Sequence, residues 1–320
     1  MENESSGFVN DLKEEITADK PIDTYRKFTD LHEYYVSESG PARLFTAVRY
    51  DKLYVLKCLR PEFLYTPVYR QALVKEFEIG LLIDHPHICR TIGMEEVDGL
   101  GPTIIMEYVD GDTLREIMDK GLLTTDFALH LTRQLMDALE YLHCKQVIHR
   151  DLKPENIIIT HNGRNVKLID FSLSDSDAHC VLKCPAGSLN YIAPEQLLPD
   201  ARPNVKSDIY SLGMVVNGMA EATGSRDLRR IAKICIRHDP AARPASVSQI
   251  MPQVQRSYRS HIYLSLLIAA VVVLSGYIAA TLYRHAQTVA IHRTNDSGAV
   301  SIDGNRAVDF QTIQEITPRK

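Results

Sequence analysis

From Ile262 to Tyr283 the chain runs for 22 residues, IYLSLLIAAVVVLSGYIAATLY, without one charged side chain. At a rise of ~1.5 Å per residue, a helix of this length crosses the ~30 Å hydrocarbon core of a bilayer. Burial inside a soluble core is the competing reading, but only 37 residues follow the run, too few to wrap it. Tyr263, Tyr277 and Tyr283 can settle at a headgroup interface. One span over 262–283 is therefore expected, with a juxtamembrane linker at 256–261, a short tail at 284–320, and everything globular before it. The acidic start, MENESSGFVNDLKEEI, has no apolar stretch and does not read as a signal peptide. Arg256 and Arg259 before the span nearly balance Arg284 and Arg293 after it, so basic residues alone do not orient it.

The part before the span has room for one full domain, and 45% hydrophobic with 24% charged residues is ordinary for a globular protein. A net charge of −5 gives no sign of a nucleic-acid surface. All six cysteines precede the span and none lies in the tail, as expected of free thiols in a reducing compartment. Cys180 and Cys184 are not accompanied by a second Cys/His pair at ligand spacing, which argues against a metal site there. Residues 1–27 read as a polar extension with a weak helical pattern at Val9, Leu12 and Ile16.

The chemistry concentrates in His149-Arg150-Asp151-Leu152-Lys153-Pro154-Glu155-Asn156, with Asp170-Phe171 fourteen residues after Asn156. Asp151 can accept the proton of an attacking hydroxyl, and Lys153 can hold a transferring phosphate. Asn156 and Asp170 supply the hard oxygen ligands that Mg²⁺ prefers. The run resembles the catalytic loop of the eukaryotic-type (Hanks-type) protein kinases, and Lys153-Pro154-Glu155 resembles the serine/threonine branch. That resemblance implies an α+β, bilobal fold over residues 28–255, with a small β-rich lobe and a helical large lobe. It also implies ATP and Mg²⁺ as ligands and a protein hydroxyl as substrate. ATP availability would put the domain in the cytosol and the tail outside.

Other positions follow from the resemblance. Strand-like runs at Leu31–Val36, Leu44–Val48 and Leu53–Leu59, with a turn at Asp51-Lys52, fit the small lobe. Lys57, in Tyr54-Val55-Leu56-Lys57, resembles the phosphate-positioning lysine and shares a strand face with Val55. Glu76 is its expected partner, on a helix patterned by Leu73, Phe77, Leu81 and Leu82 and followed by His85-Pro86-His87-Ile88. The strand Thr103–Met106 leads to a hinge-like Glu107-Tyr108-Val109-Asp110-Gly111, where backbone at Glu107 and Val109 would meet adenine. Asp112 would accept from the ribose or cap the helix at 113–119. A long amphipathic helix is expected over 127–144. Asp208 resembles an anchor of the catalytic-loop backbone, and Glu195, in Ala193-Pro194-Glu195, resembles a partner of Arg243.

Three departures mark the chain. Ser37, Ser39 and Ala42 stand where the family's phosphate loop has glycines, leaving Gly40 within it as a turn former, and Ser39 and Gly40 as its nucleotide contacts. Ser172 replaces the glycine after Asp170-Phe171. Only 35 residues separate Asp208 from Arg243, which trims a region that docks protein substrates in the family. The chemical set is otherwise whole, which favours activity over a membrane-tethered pseudokinase scaffold. A small-molecule kinase is a further alternative. Ser174, Ser176 and Ser188 are candidate modification or substrate-seating positions. Dimerisation through the span is open, although its single glycine, Gly276, leaves no G-x-x-x-G face.

Overall fold

The computed structural model describes residues 27–37, 40–170, 189–198 and 204–297. The chain divides into two compact units, one ending at His261 and the other starting at Ile262.

The first unit opens with strands β1 (Thr29–Val36), β2 (Ala42–Arg49) and β3 (Lys52–Leu59). The β2–β3 turn is centred on Tyr50 and Asp51, both at positive φ (54° and 55°), rather than on Asp51-Lys52. Two successive left-handed residues give the turn whose twist matches a hairpin. Helix α1 (Pro67–Leu81) follows, then β4 (Thr91–Val97) and β5 (Gly101–Glu107). The five strands form one antiparallel sheet in the order β1-β2-β3-β5-β4. On β3, Leu56 and Cys58 enter a core cluster with Phe45, Ala47 and Ile105. Period-two alternation therefore sends Val55 and Lys57 to the other face.

Helix α1 buries Leu73, Glu76 and Gly80. Leu81 and Leu82, expected on the packed face, are instead 55% and 72% exposed. Gly80 sits where a Cβ would run into the Thr91 side chain, so its lack of one lets α1 close onto β4.

The larger part of this unit holds β6 (Gly111–Thr113), α2 (Leu114–Asp119), α3 (Thr125–Cys144), β7 (Ile157–Thr160), β8 (Val166–Leu168), α4 (Val205–Thr223) and α5 (Arg226–Cys235). Thr113, not Asp112, caps α2: its side chain accepts from Glu116 N, and Glu116 returns the bond to the Thr113 amide. This reciprocal box satisfies two amides that a helix start leaves open. Leu135, Met136, Leu139 and Leu142 of α3 pack with Ile209, Leu212, Val216 and Met219 of α4 in the main core. Cys58, Cys89 and Cys235 are buried free thiols, and Cys144 is exposed. Cys180 and Cys184, with Ser172, Ser174, Ser176 and Ser188, lie outside the described residues, as does Ser39.

The last helix, α6 (Met251–Ser297), contains the apolar run. The 256–261 segment, the expected juxtamembrane linker, is helical. Within the first unit Val254 is fully buried in the core and Tyr258 packs against it. The helix also continues past Tyr283 to Ser297, where Asp296-Ser297-Gly298 reads as a turn signal. In the second unit this helix is long and apolar enough to cross a membrane, and its apolar window is unburied.

Arg243 is 3% exposed and closes the lower core. Its Nη1 and Nη2 donate to Glu195 at 2.7 and 2.8 Å, and its guanidinium also reaches the carbonyls of Lys206, Arg237 and His238. Breaking a buried pair by removing one partner costs about 3–5 kcal/mol, and Glu195 retains some solvent. Arg243→Ala is expected to lose about 2–4 kcal/mol in denaturant unfolding of the full chain. A loss below about 1 kcal/mol would contradict the assignment.

Candidate active site

A single buried ammonium organises the site. Lys57, on β3 and 4% exposed, donates to Glu76 Oε1 of α1 at 2.6 Å and to Asp170 Oδ1 just after β8 at 2.7 Å. Burial alone would lower the lysine pKa, but Asp170 and then Glu76 outweigh it and hold the group above the ordinary lysine range. Two carboxylates nineteen and 113 positions away thus converge on one cation.

The catalytic loop is held from below. Asp208 of α4, fully buried, accepts from the backbone amides of His149 (2.9 Å) and Arg150 (2.8 Å) and contacts His143 Nε2 at 2.8 Å. Arg150 has φ 67° and Asp170 φ 70°, left-handed conformations for residues with side chains. Each costs on the order of 1–3 kcal/mol and persists because its surroundings enforce it. The buried Asp208 bonds do so for Arg150.

Above that anchor, Asp151 Oδ2 accepts from Lys153 Nζ at 2.6 Å and from Asn156 Nδ2 at 2.9 Å. Asn156 also donates to the Asp151 carbonyl at 2.9 Å. With its nitrogen committed twice, the atom Asn156 can offer a cation is its amide oxygen. Burial pushes the Asp151 carboxyl above the ordinary carboxylate range; Lys153 opposes this, and Asp170 adds to it. Asp170 and Asn156 make a two-oxygen set that fits Mg²⁺, which binds one or two protein groups and takes its remaining ligands from phosphates and water. Among the described residues no group of three His, Cys, Asp or Glu side chains forms a self-contained metal cage.

This geometry agrees with the comparisons. The protein kinase domain family matches residues 38–224, more than half of the chain. The chain belongs to the protein kinase domain family. Similar curated proteins include the serine/threonine-protein kinase PrkC of Bacillus subtilis, 30% identical over 66% of this chain and 33% of that protein. The serine/threonine-protein kinases PknA of Corynebacterium glutamicum is 33% identical over 62% of this chain and 44% of its own length. The serine/threonine-protein kinase ppk25 of Schizosaccharomyces pombe is 42% identical over 44% and 34% respectively. The chain thus spans less than half the length of these relatives.

Within this kinase domain, the other expected contacts are placed as follows. The Glu107 side chain is tied to Lys167 Nζ (2.6 Å) and the Arg90 amide (3.0 Å). The Glu107 amide donates to the Arg90 carbonyl at 3.0 Å, and the buried Cys89 thiol donates to the Glu107 carbonyl at 3.6 Å. Val109 lies half-buried between β5 and β6, and Met106 packs beside Leu59, Leu73 and Ile104. Asp112 is held by Lys120 (3.1 Å) and His161 (3.3 Å), and His161 also meets Asp110 at 2.9 Å. The hydrogen bonds to Asp110 and Asp112 raise the His161 pKa. In the phosphate loop, Gly40 N donates to Ser37 Oγ at 2.8 Å, and Arg60 holds the Ser37 carbonyl at 2.9 Å. One amide that a glycine would leave open is thus engaged.

Like the Ser37–Gly40 contact, two more arrangements had no sequence signal. His161, between Asp110 and Asp112, is one. Arg115 is the other: it donates to Glu155 (3.0 Å) and to the Tyr191 hydroxyl (2.8 Å), tying α2 to the catalytic loop and to the segment before Ala193-Pro194-Glu195.

Only the carboxylate form of Asp151 can take a proton. Because burial raises its pKa, the phosphorylation rate should fall with decreasing pH along a limb above the ordinary carboxylate range. Lys153→Met removes the main opposing charge, so the limb should move to higher pH by about one pH unit, whatever the loss of rate. A limb that stays in place in the pH–rate profile would contradict the coupling.

Proposed function

We propose that this chain is an ATP- and Mg²⁺-dependent protein serine/threonine kinase held at a membrane by one span, with its kinase domain on the nucleotide-rich, cytosolic side and residues 284–320 beyond the bilayer. The observation that carries the activity is the Asp151–Lys153–Asn156 cluster, set beside the Lys57–Glu76–Asp170 triad. The serine/threonine kinases among its relatives support the substrate class.

The residues divide the work. Asp151 accepts the hydroxyl proton of a serine or threonine as the hydroxyl oxygen forms its bond to the γ-phosphorus and the bond to the leaving diphosphate oxygen breaks. Lys153, 2.6 Å from Asp151, would offset charge on the transferring group. Glu76 fixes Lys57, whose ammonium would serve the α- and β-phosphates. Asp170 and Asn156 would hold Mg²⁺, which supplies charge neutralisation on the phosphate oxygens when bound. Backbone at Glu107 and Val109 would receive adenine, Asp112 the ribose, and the segment at Ser39 and Gly40 the phosphates.

The engaged Gly40 amide favours a second reading, a membrane-tethered pseudokinase with weak or no nucleotide binding. A transfer assay separates the two. The full chain in detergent, given γ-labelled ATP, Mg²⁺ and a generic basic protein, should place label on serine or threonine. Asp151→Asn should lower the rate by about 10²-fold or more, the usual scale for a lost general base. Absence of label from the parent chain, or equal labelling by both forms, would reject the kinase reading.

A further inference from the structure

Helix α5 has two sharply different faces. Leu228, Ile231, Ala232 and Cys235 are buried in the core. Arg226, Arg229, Arg230 and Lys233 are all exposed, and they recur at three- and four-residue spacing along one stripe. Asp227 is the only acid between Arg226 and Arg237. Cations three and four apart repel, so this stripe costs the helix stability unless negative charge arrives from outside. Arg230 has a partial partner in Asp227 at 3.3 Å.

The position of the stripe names the source of that charge. His261 Nε2 lies 3.6 Å from Asp227 at the start of α5, and its Nδ1 lies 3.1 Å from Asp126 at the start of α3. Ile262, the first residue of the apolar run, is joined to His261 by one peptide bond. His261, the last residue of the first unit, thus touches the beginnings of α3 and α5. Arg256 and Arg259, on the turns of α6 leading to His261, are exposed as well.

We infer that the outer face of α5, with Arg256 and Arg259, is a docking surface for the anionic headgroups of the membrane that the 262–283 run enters. The inference rests on the single-span reading. Its occupant is a lipid surface because the cations are spread along a helix face, as a sheet of headgroups requires, and because chain connectivity delivers that surface to them. Basic residues next to a span are drawn to an anionic leaflet within about a Debye length. Such docking would restrict the kinase domain to substrates close to the same membrane.

The test uses the full chain in nanodiscs of phosphatidylcholine alone, or of phosphatidylcholine with a minority of phosphatidylglycerol. Acetylation of Lys233 is followed by mass spectrometry, with the exposed Lys52 of the small lobe as internal reference. Lys233 should label about five-fold more slowly in the anionic discs, Lys52 equally in both, and added salt should remove the difference. Arg229→Gln with Arg230→Gln, both exposed and outside the catalytic machinery, should abolish most of the protection. Equal labelling of Lys233 in both lipids would overturn the inference while leaving the span intact. So would protection that appears only when an acidic protein is added. Failure of the chain to co-elute with discs of either composition would instead overturn the single-span reading beneath it.

Discussion

The structure turns on one buried cation, the Lys57 ammonium, shared by carboxylates that arrive from two other elements. An ammonium with 5% side-chain exposure is tolerable only because both partners are within hydrogen-bonding distance. That requirement fixes the register of β3 against α1 and the placement of Asp170 after β8. It also gives Asp170 its electrostatic setting. The same carboxylate repels Asp151, so the two halves of the site are coupled through charge as well as through the chain.

The second support is Asp208. Its carboxylate takes two consecutive backbone amides of the catalytic loop, and it comes from the interior of α4, whose apolar side chains belong to the main core. The loop is thereby tied to the main core while keeping Arg150 in a left-handed conformation. Below it, the Glu195–Arg243 pair locks the segment after Tyr191 to the base of α4. The shortened stretch between Asp208 and Arg243 therefore retains its anchoring contacts. What it carries on its outer surface is the basic stripe of α5.

Much of this was legible in the sequence for a physical reason. Asp151, Lys153 and Asn156 act from one short run, so their spacing reports their geometry directly. Lys57 was placed by resemblance to the family's strand lysine, with alternation setting its face, and Glu76 by resemblance as well, on a helix that runs ahead of His85-Pro86-His87-Ile88. Side-chain contacts between distant segments carry no such periodic mark. The Ser37 hydroxyl on the Gly40 amide, His161 between Asp110 and Asp112, and Arg115 between Glu155 and Tyr191 all had to be seen. Charge-free length marks a bilayer core over 262–283 but not where a helix begins or ends, and α6 runs from Met251 to Ser297. Met251 to His261 are polar on one side and rooted by Val254 on the other. Leu81 and Leu82 look like core positions by composition, yet the close approach at Gly80 turns them to solvent.

The central claim is that this constellation is built to hold a triphosphate together with a divalent ion, despite the altered phosphate loop. Calorimetric titration of ATP into the full chain, with Mg²⁺ and with EDTA, tests it most directly when Asp170→Asn is run alongside. The account predicts binding that tightens about ten-fold or more with Mg²⁺ in the parent chain, and loss of most of that dependence in the variant. Binding that ignores Mg²⁺ in both proteins, or no binding in either, would contradict it.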